Sequence, residues 1–121
     1  MTRKEFEKLW LRHFAFGISK SDMRKYVVAT GNYIWHVFSW RLLPEGSYLE
    51  GDAARMAFDQ IDKQGAIYVE AFGPGASQLT NVNCAADLDA FVEVYAAAPD
   101  FSWTYIKTHE ITCGPYFCRK V

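Results

Sequence analysis

The clearest period in the chain lies at its start. Phe6, Leu9, Trp10, His13 and Phe14 recur at helical spacing, while Lys4, Lys8 and Arg12 hold another face. This pattern predicts an amphipathic helix over about Arg3–Phe16, stopped by Gly17. Ser21 is placed to cap a short second helix running to about Thr30, with Asp22 in its first turn, and Gly31-Asn32 then turns the chain. Tyr33–Trp40 is rich in β-branched and aromatic residues and apolar on both faces, which predicts a strand buried on both sides. A polar loop containing Pro44 and Gly46 follows. Gly51-Asp52 opens a further helix whose apolar face is Ala54, Ala57, Phe58 and Ile61, and Lys63-Gln64-Gly65 ends it.

Ala66–Phe72 reads as a strand and Gly73–Ser77 as a turn. Leu88, Phe91, Val92 and Tyr95 fall on one face of a predicted helix over Ala85–Ala97, with Pro99 just beyond it. Phe101–His109 is the next strand, and Tyr116–Arg119 a short last one after Gly114-Pro115. Helices separating several strands predict an α+β fold: a mixed sheet of about four strands with three or four helices packed on it. No repeat or linker interrupts the pattern, so residues 1–121 read as one domain.

Composition supports a folded chain. Half of the residues are hydrophobic and 17% are aromatic, enough apolar material for a core at this length. The charged start, Met1–Glu7, lacks the apolar stretch of a secretion signal, and no apolar run reaches the roughly 20 residues of a membrane helix. Three cysteines, Cys84, Cys113 and Cys118, make an odd count and no disulfide framework. Together these features predict a cytoplasmic protein with reduced thiols.

Charge is unevenly spread along the chain. Residues 1–25 carry seven basic groups against three acids, whereas residues 45–100 carry ten acids against Arg55 and Lys63 alone. The two stretches are either solvated faces of opposite sign or, in the second case, a surface that steers a basic partner. Glu50, Asp52, Asp59 and Asp62, with Arg55 and Trp40, are the candidate contact residues.

No catalytic motif is complete. Histidine titrates near neutrality, so His36 in the first aromatic segment and the pair His109–Glu110 at the end of the second are the candidates for acid–base chemistry. His13 joins them only if its helix face meets that region. Adjacent residues of an extended chain point to opposite faces, so His109 and Glu110 converge only if the strand has ended. His109, Cys113 and Cys118 are zinc-competent, with Cys84 or Glu110 as further donors, but H-x3-C-x4-C lacks the C-x2-C knuckle. Ser39, Ser102, Thr104 and Cys113 lack a nucleophile elbow, and Gly73-Pro74-Gly75 matches neither a phosphate loop nor a dinucleotide turn, so no cofactor is expected. Trp35, Trp103 and Tyr105 would suit base stacking, yet only Lys107 and Arg41 accompany them, which argues against nucleic acid.

Four segments carry a family resemblance: W-H-x-F-S-W from Trp35, L-E-G-x-x-A-R-x-A-F from Leu49, F-S-W-T-Y-x-x-T-H-E from Phe101 and G-P-Y-F-C from Gly114. Over about Tyr33 to Cys118 the chain resembles small bacterial proteins grouped as domain of unknown function family 4275. The resemblance implies membership and no activity. It directs attention to Trp35, His36, Trp40, Glu50, Arg55, Trp103, Tyr105, Thr108, His109 and Glu110, among which Arg55 is expected to bridge to Glu50 or Glu110.

Two functions follow as expectations. The first is a non-catalytic protein-binding module, an immunity or inhibitor protein that neutralises a basic toxin. The second is a small enzyme or ligand-binding domain with its site around His36, His109 and Glu110.

Overall fold

Thr2 starts the first helix, α1 (Arg3–Phe14), through a capping box: its hydroxyl accepts from Glu5 N at 3.1 Å while the Glu5 carboxylate accepts from Thr2 N. Phe6, Trp10 and Phe14, each four residues from the next, form its buried stripe. Ser19 rather than Ser21 caps α2 (Lys20–Asp22), because its hydroxyl reaches Asp22 N at 3.1 Å. The helix widens into a π turn over Met23–Val27 and tightens into a 3-10 turn over Val28–Thr30. It stops at Gly31, whose φ of +109° is open to glycine alone without strain.

The segment Tyr33–Trp40 is helical and not a strand. His36 N, Val37 N and Phe38 N donate to the carbonyls three residues earlier, leading into the short helix α3 (His36–Ser39). Ile34, Trp35, Val37 and Phe38 are buried while Tyr33, His36 and Ser39 are half-buried, a helical rather than an alternating burial pattern. Burial of one face outweighs the intrinsic β preference of these side chains.

The computed structural model describes residues 1–120. Its strands are β1 (Tyr48–Glu50), β2 (Ile67–Glu70), β3 (Ser77–Gln78), β4 (Val94–Ala97), β5 (Trp103–Lys107) and β6 (Tyr116–Arg119), and the remaining helix is α4 (Asp52–Gln60). They form one sheet of six strands in the order β1-β6-β5-β4-β2-β3. Every pairing is antiparallel, so the sheet is not mixed and has more than the expected four strands. Two of the additional strands lie at the edges. β1 emerges from the segment read as a polar loop, and β3 from the turn after β2.

The remaining strand, β4, replaces most of the helix expected over Ala85–Ala97. Only a 3-10 turn, Ala85–Leu88, forms there; Asp87 anchors it by accepting from Asn83 N and Cys84 N. Val94–Ala97 is buried on both sides between β2 and β5, and its register pairs Tyr95 with Val69 and with Ile106. Tertiary pairing overrides the helix preference of the alanines.

Both faces of the sheet are covered. α1, α3 and the turn that follows α2 pack over Tyr95, Ala97, Ile106, Tyr116 and Cys118. α4 and the 3-10 turn pack over Val94, Ala96, Trp103, Tyr105 and Phe117. Alternation along β4, β5 and β6 separates these two sets. A buried relay fixes α1 to the sheet: Trp10 Nε1 donates to Thr104 Oγ1 at 2.8 Å, and Thr104 Oγ1 donates to Ala96 O at 2.8 Å.

Candidate functional site

Glu93 precedes β4 by one residue and shares the face of Tyr95, beneath the α3 turn. It is 2% exposed. Its Oε1 accepts from Trp35 Nε1 at 2.9 Å, from His109 N at 3.2 Å and from His109 Nδ1 at 2.7 Å, and its Oε2 accepts from Tyr95 Oη at 2.7 Å. A buried carboxylate needs this many donors, because the interior cannot solvate its charge as water does. Burial and the Glu93 charge raise the Tyr95 phenol far above its ordinary pKa, so Tyr95 is the neutral donor of its pair.

The expected acid–base residues gather around this carboxylate. β5 ends at Lys107, so the chain is free to bend after it, and His109 Nε2 lies 3.4 Å from Glu110 Oε1. His109 and Glu110 therefore do converge, and with Glu93 on Nδ1 the imidazole stands between two carboxylates. The His109 ring packs 4.9 Å from Tyr33 and 5.8 Å from Trp35. His36 packs 4.2 Å from Trp35 and meets Ser39 Oγ through Nδ1 at 2.9 Å. Burial pushes the His36 pKa down, which favours its neutral form. His13 lies elsewhere, stacked 5.3 Å from Phe101.

A polar cleft of about 160 Å³ opens onto the same carboxylate, lined by Arg3, Glu7, Asn32, Tyr33, Glu93 and Tyr95. Arg3 spans its mouth, donating to Ala71 O and pairing with Glu7. Burial raises the Glu7 pKa, and the Glu93 charge adds to the effect.

Glu93 is the residue that sequence reasoning missed. The available signal was a single acid inside the apolar run Phe91–Ala98. The helix expected there hid its meaning, since only a strand puts Glu93 and Tyr95 on one face.

The cysteines are dispersed by comparison. Cys118 is buried beneath the N-terminal helices and its Sγ donates to Ser47 O at 3.5 Å. Burial pushes its thiol up to about 11. Cys84 starts the 3-10 turn, and Cys113 packs against the same core as Cys118. Among the described residues no group of three or more His, Cys, Asp or Glu side chains is placed to hold a metal ion. Trp35 is buried on the face of the N-terminal helices, whereas Trp103 and Tyr105 are buried on the α4 face, so these three aromatics share no stacking surface.

The acidic candidates lie on and beside α4. Its outward positions are Asp52, Ala53, Met56, Asp59 and Gln60, and Met56 is 60% exposed. Arg55 bridges to neither Glu50 nor Glu110. It forms a two-pronged pair with Asp89, at 2.7 and 3.0 Å, which raises the Arg55 pKa and lowers that of Asp89. Asp59 also accepts from Ala85 N at 2.7 Å, and Asp62 from Gln64 N at 3.0 Å. Glu50, just ahead of α4, pairs with Arg41 at 3.5 Å. That bridge brings the neighbour of Trp40 to the start of α4, and Trp40 itself packs half-exposed against Tyr26 at 5.3 Å.

The model of one family, the domain of unknown function DUF4275, matches residues 2–117. The chain belongs to the DUF4275 family. The match takes in both the Glu93–His109 cluster and α4, so each is part of the DUF4275 domain. Comparison with curated proteins and with solved structures finds no match for this DUF4275 chain. No helix among its described residues is long and apolar enough to cross a membrane.

Proposed function

We propose that this DUF4275 protein is a non-catalytic, cytoplasmic protein-binding module that captures a basic partner on α4, as an immunity or inhibitor protein neutralising a bacterial toxin would. What supports the reading is the outer face of α4, where Asp52 and Asp59 flank the exposed Met56 and the one cation of the helix, Arg55, is neutralised by Asp89. A surface of one sign accelerates the encounter with an oppositely charged partner. An exposed methionine adds an adaptable apolar contact at its centre. Glu50 and Asp62, both exposed, add acids just beyond the two ends of the helix.

The test is photo-crosslinking from position 56 in the source organism, followed by expression of the captured protein alone. A basic partner that is toxic alone, and neutralised by the wild-type chain but not by Asp52→Lys/Asp59→Lys, supports the reading. Equal protection by the charge-reversed variant overturns it.

A second reading rests on His109, a third exposed (31%) with Nδ1 engaged by Glu93 and Nε2 facing Glu110. That arrangement suits a general base acting on a small ligand. His109→Gln would then abolish ligand-induced thermal shifts in a metabolite screen, whereas the α4 variant would keep them.

A further inference from the structure

A second surface, unrelated to α4's acids, has the opposite character. Between the C-terminal end of α1, the loop before β1 and the end of β6 lies a groove of about 620 Å³. That volume falls within the roughly 300–1,000 Å³ of small-molecule sites. Phe14, Phe16, Leu43, Pro44, Leu49 and Phe117 make its walls largely apolar. Phe16 is 84% exposed and Leu49 42%, so large apolar side chains face open space there. Cys118 also lines the groove, with its thiol held protonated by burial and donating to Ser47 O.

One end of the groove is cationic. His13, Arg119 and Lys120 line it, and Lys120 Nζ sits 2.8 Å from His13 Nδ1. An ammonium only donates, so His13 is its acceptor and carries no charge of its own in this contact. Among the described residues no carboxylate lies within salt-bridge distance of Arg12, Arg119 or Lys120. Asp100 acts on His13 from nearby and accepts from Ser102 N at 3.0 Å. An apolar trough lined by cations that form no ion pair among the described residues is complementary to an amphiphile with an anionic head.

We propose that this groove binds a long-chain carboxylate, with its tail along Phe14, Phe16 and Leu43 and its head against Lys120 and His13. Each methylene seated in the groove strengthens binding by up to about fourfold, the equivalent of its transfer from water. A charge-assisted contact to the head adds roughly tenfold over an uncharged head.

Calorimetry on the full chain with octanoate, decanoate and dodecanoate, each below its micelle concentration, tests this. Saturable one-to-one binding that tightens with chain length is expected, with dodecanol and a dodecyl quaternary ammonium both weaker than dodecanoate. Lys120→Ala should weaken dodecanoate without affecting dodecanol. Phe16→Ser, at an exposed position that folding does not depend on, should weaken both. Absent or non-saturable binding overturns the proposal, as does equal affinity for the three head groups. A chain that is dimeric through Phe16 and indifferent to dodecanoate assigns the groove to a second copy and overturns it as well. So does an acidic amphipathic peptide that binds there when dodecanoate does not.

Discussion

Trp35 and Glu93, 58 residues apart in the chain, meet through an indole N–H that donates to a buried carboxylate at 2.9 Å. The contact ties the α3 turn to the start of β4, and His109 and Tyr95 complete the shell of donors. Removing the carboxylate leaves these donors buried without an acceptor. Glu93→Ala should therefore cost about 3–5 kcal/mol, the range for breaking a buried charged network. Trp35→Phe keeps the packing and loses one donor, so it should cost less. Urea unfolding of the two variants measures the difference, and equal losses would show that packing, not the carboxylate, dominates.

The pH dependence follows from His36 and His13. Burial, with Lys120 and Arg12 added at His13, lowers both imidazoles below the ordinary 6.5. Between the folded values and 6.5 the unfolded chain binds more protons than the folded chain. Stability should then fall as pH drops through 6.5 and stop falling from this source below the folded values. His36→Gln should flatten that part of the profile. Thermal melts from pH 7.5 to 5 check it, and an unchanged slope in His36→Gln would remove His36 as a source.

The elements that sequence pattern revealed are those whose period and local chemistry agree. α1 combines a helical apolar stripe with a cap, α4 begins after Gly51, and β5 and β6 fall within their expected segments. The pattern misled where composition and period disagreed. Ile34, Trp35, Val37 and Phe38 have strand-loving side chains at helical spacing, and the spacing prevailed. Ala96 and Ala97 favour helices, yet they pair between two strands. His109 and Glu110 were legible as neighbours, but Glu93 was hidden because its role depends on pairings distant in sequence. Arg55 likewise finds Asp89, 34 residues away, rather than the carboxylates suggested by the motif.

Tyr105 offers a contrast to Glu93. It is fully buried against Phe58, with ring centroids 4.4 Å apart, and its hydroxyl has no hydrogen-bond partner among the described residues. Burial pushes its phenol up to about 12 despite the opposing charge of Arg55. A buried hydroxyl without a partner costs about 1–3 kcal/mol in desolvation. Tyr105→Phe should keep the stacking, remove that cost and leave stability unchanged or higher. A loss above about 1 kcal/mol in denaturant unfolding would reveal a hydrogen bond to the hydroxyl.

Glu7 should respond to substitution in the opposite sense from Glu93. Burial and the charge of Glu93 raise its pKa above 4.5, outweighing the attraction of Arg3 at 3.6 Å. A carboxyl whose folded pKa is raised ionises more readily in the unfolded chain, so above that pKa its charge reduces stability. The Arg3 pair is partly exposed and returns little. Glu7→Gln should therefore raise the melting temperature at pH 7, and the gain should disappear as pH falls below 4.5, where both states of the wild type bind the proton. A lower melting temperature for Glu7→Gln at pH 7 would mean that the bridge to Arg3, which also holds Ala71 O, contributes more than burial costs.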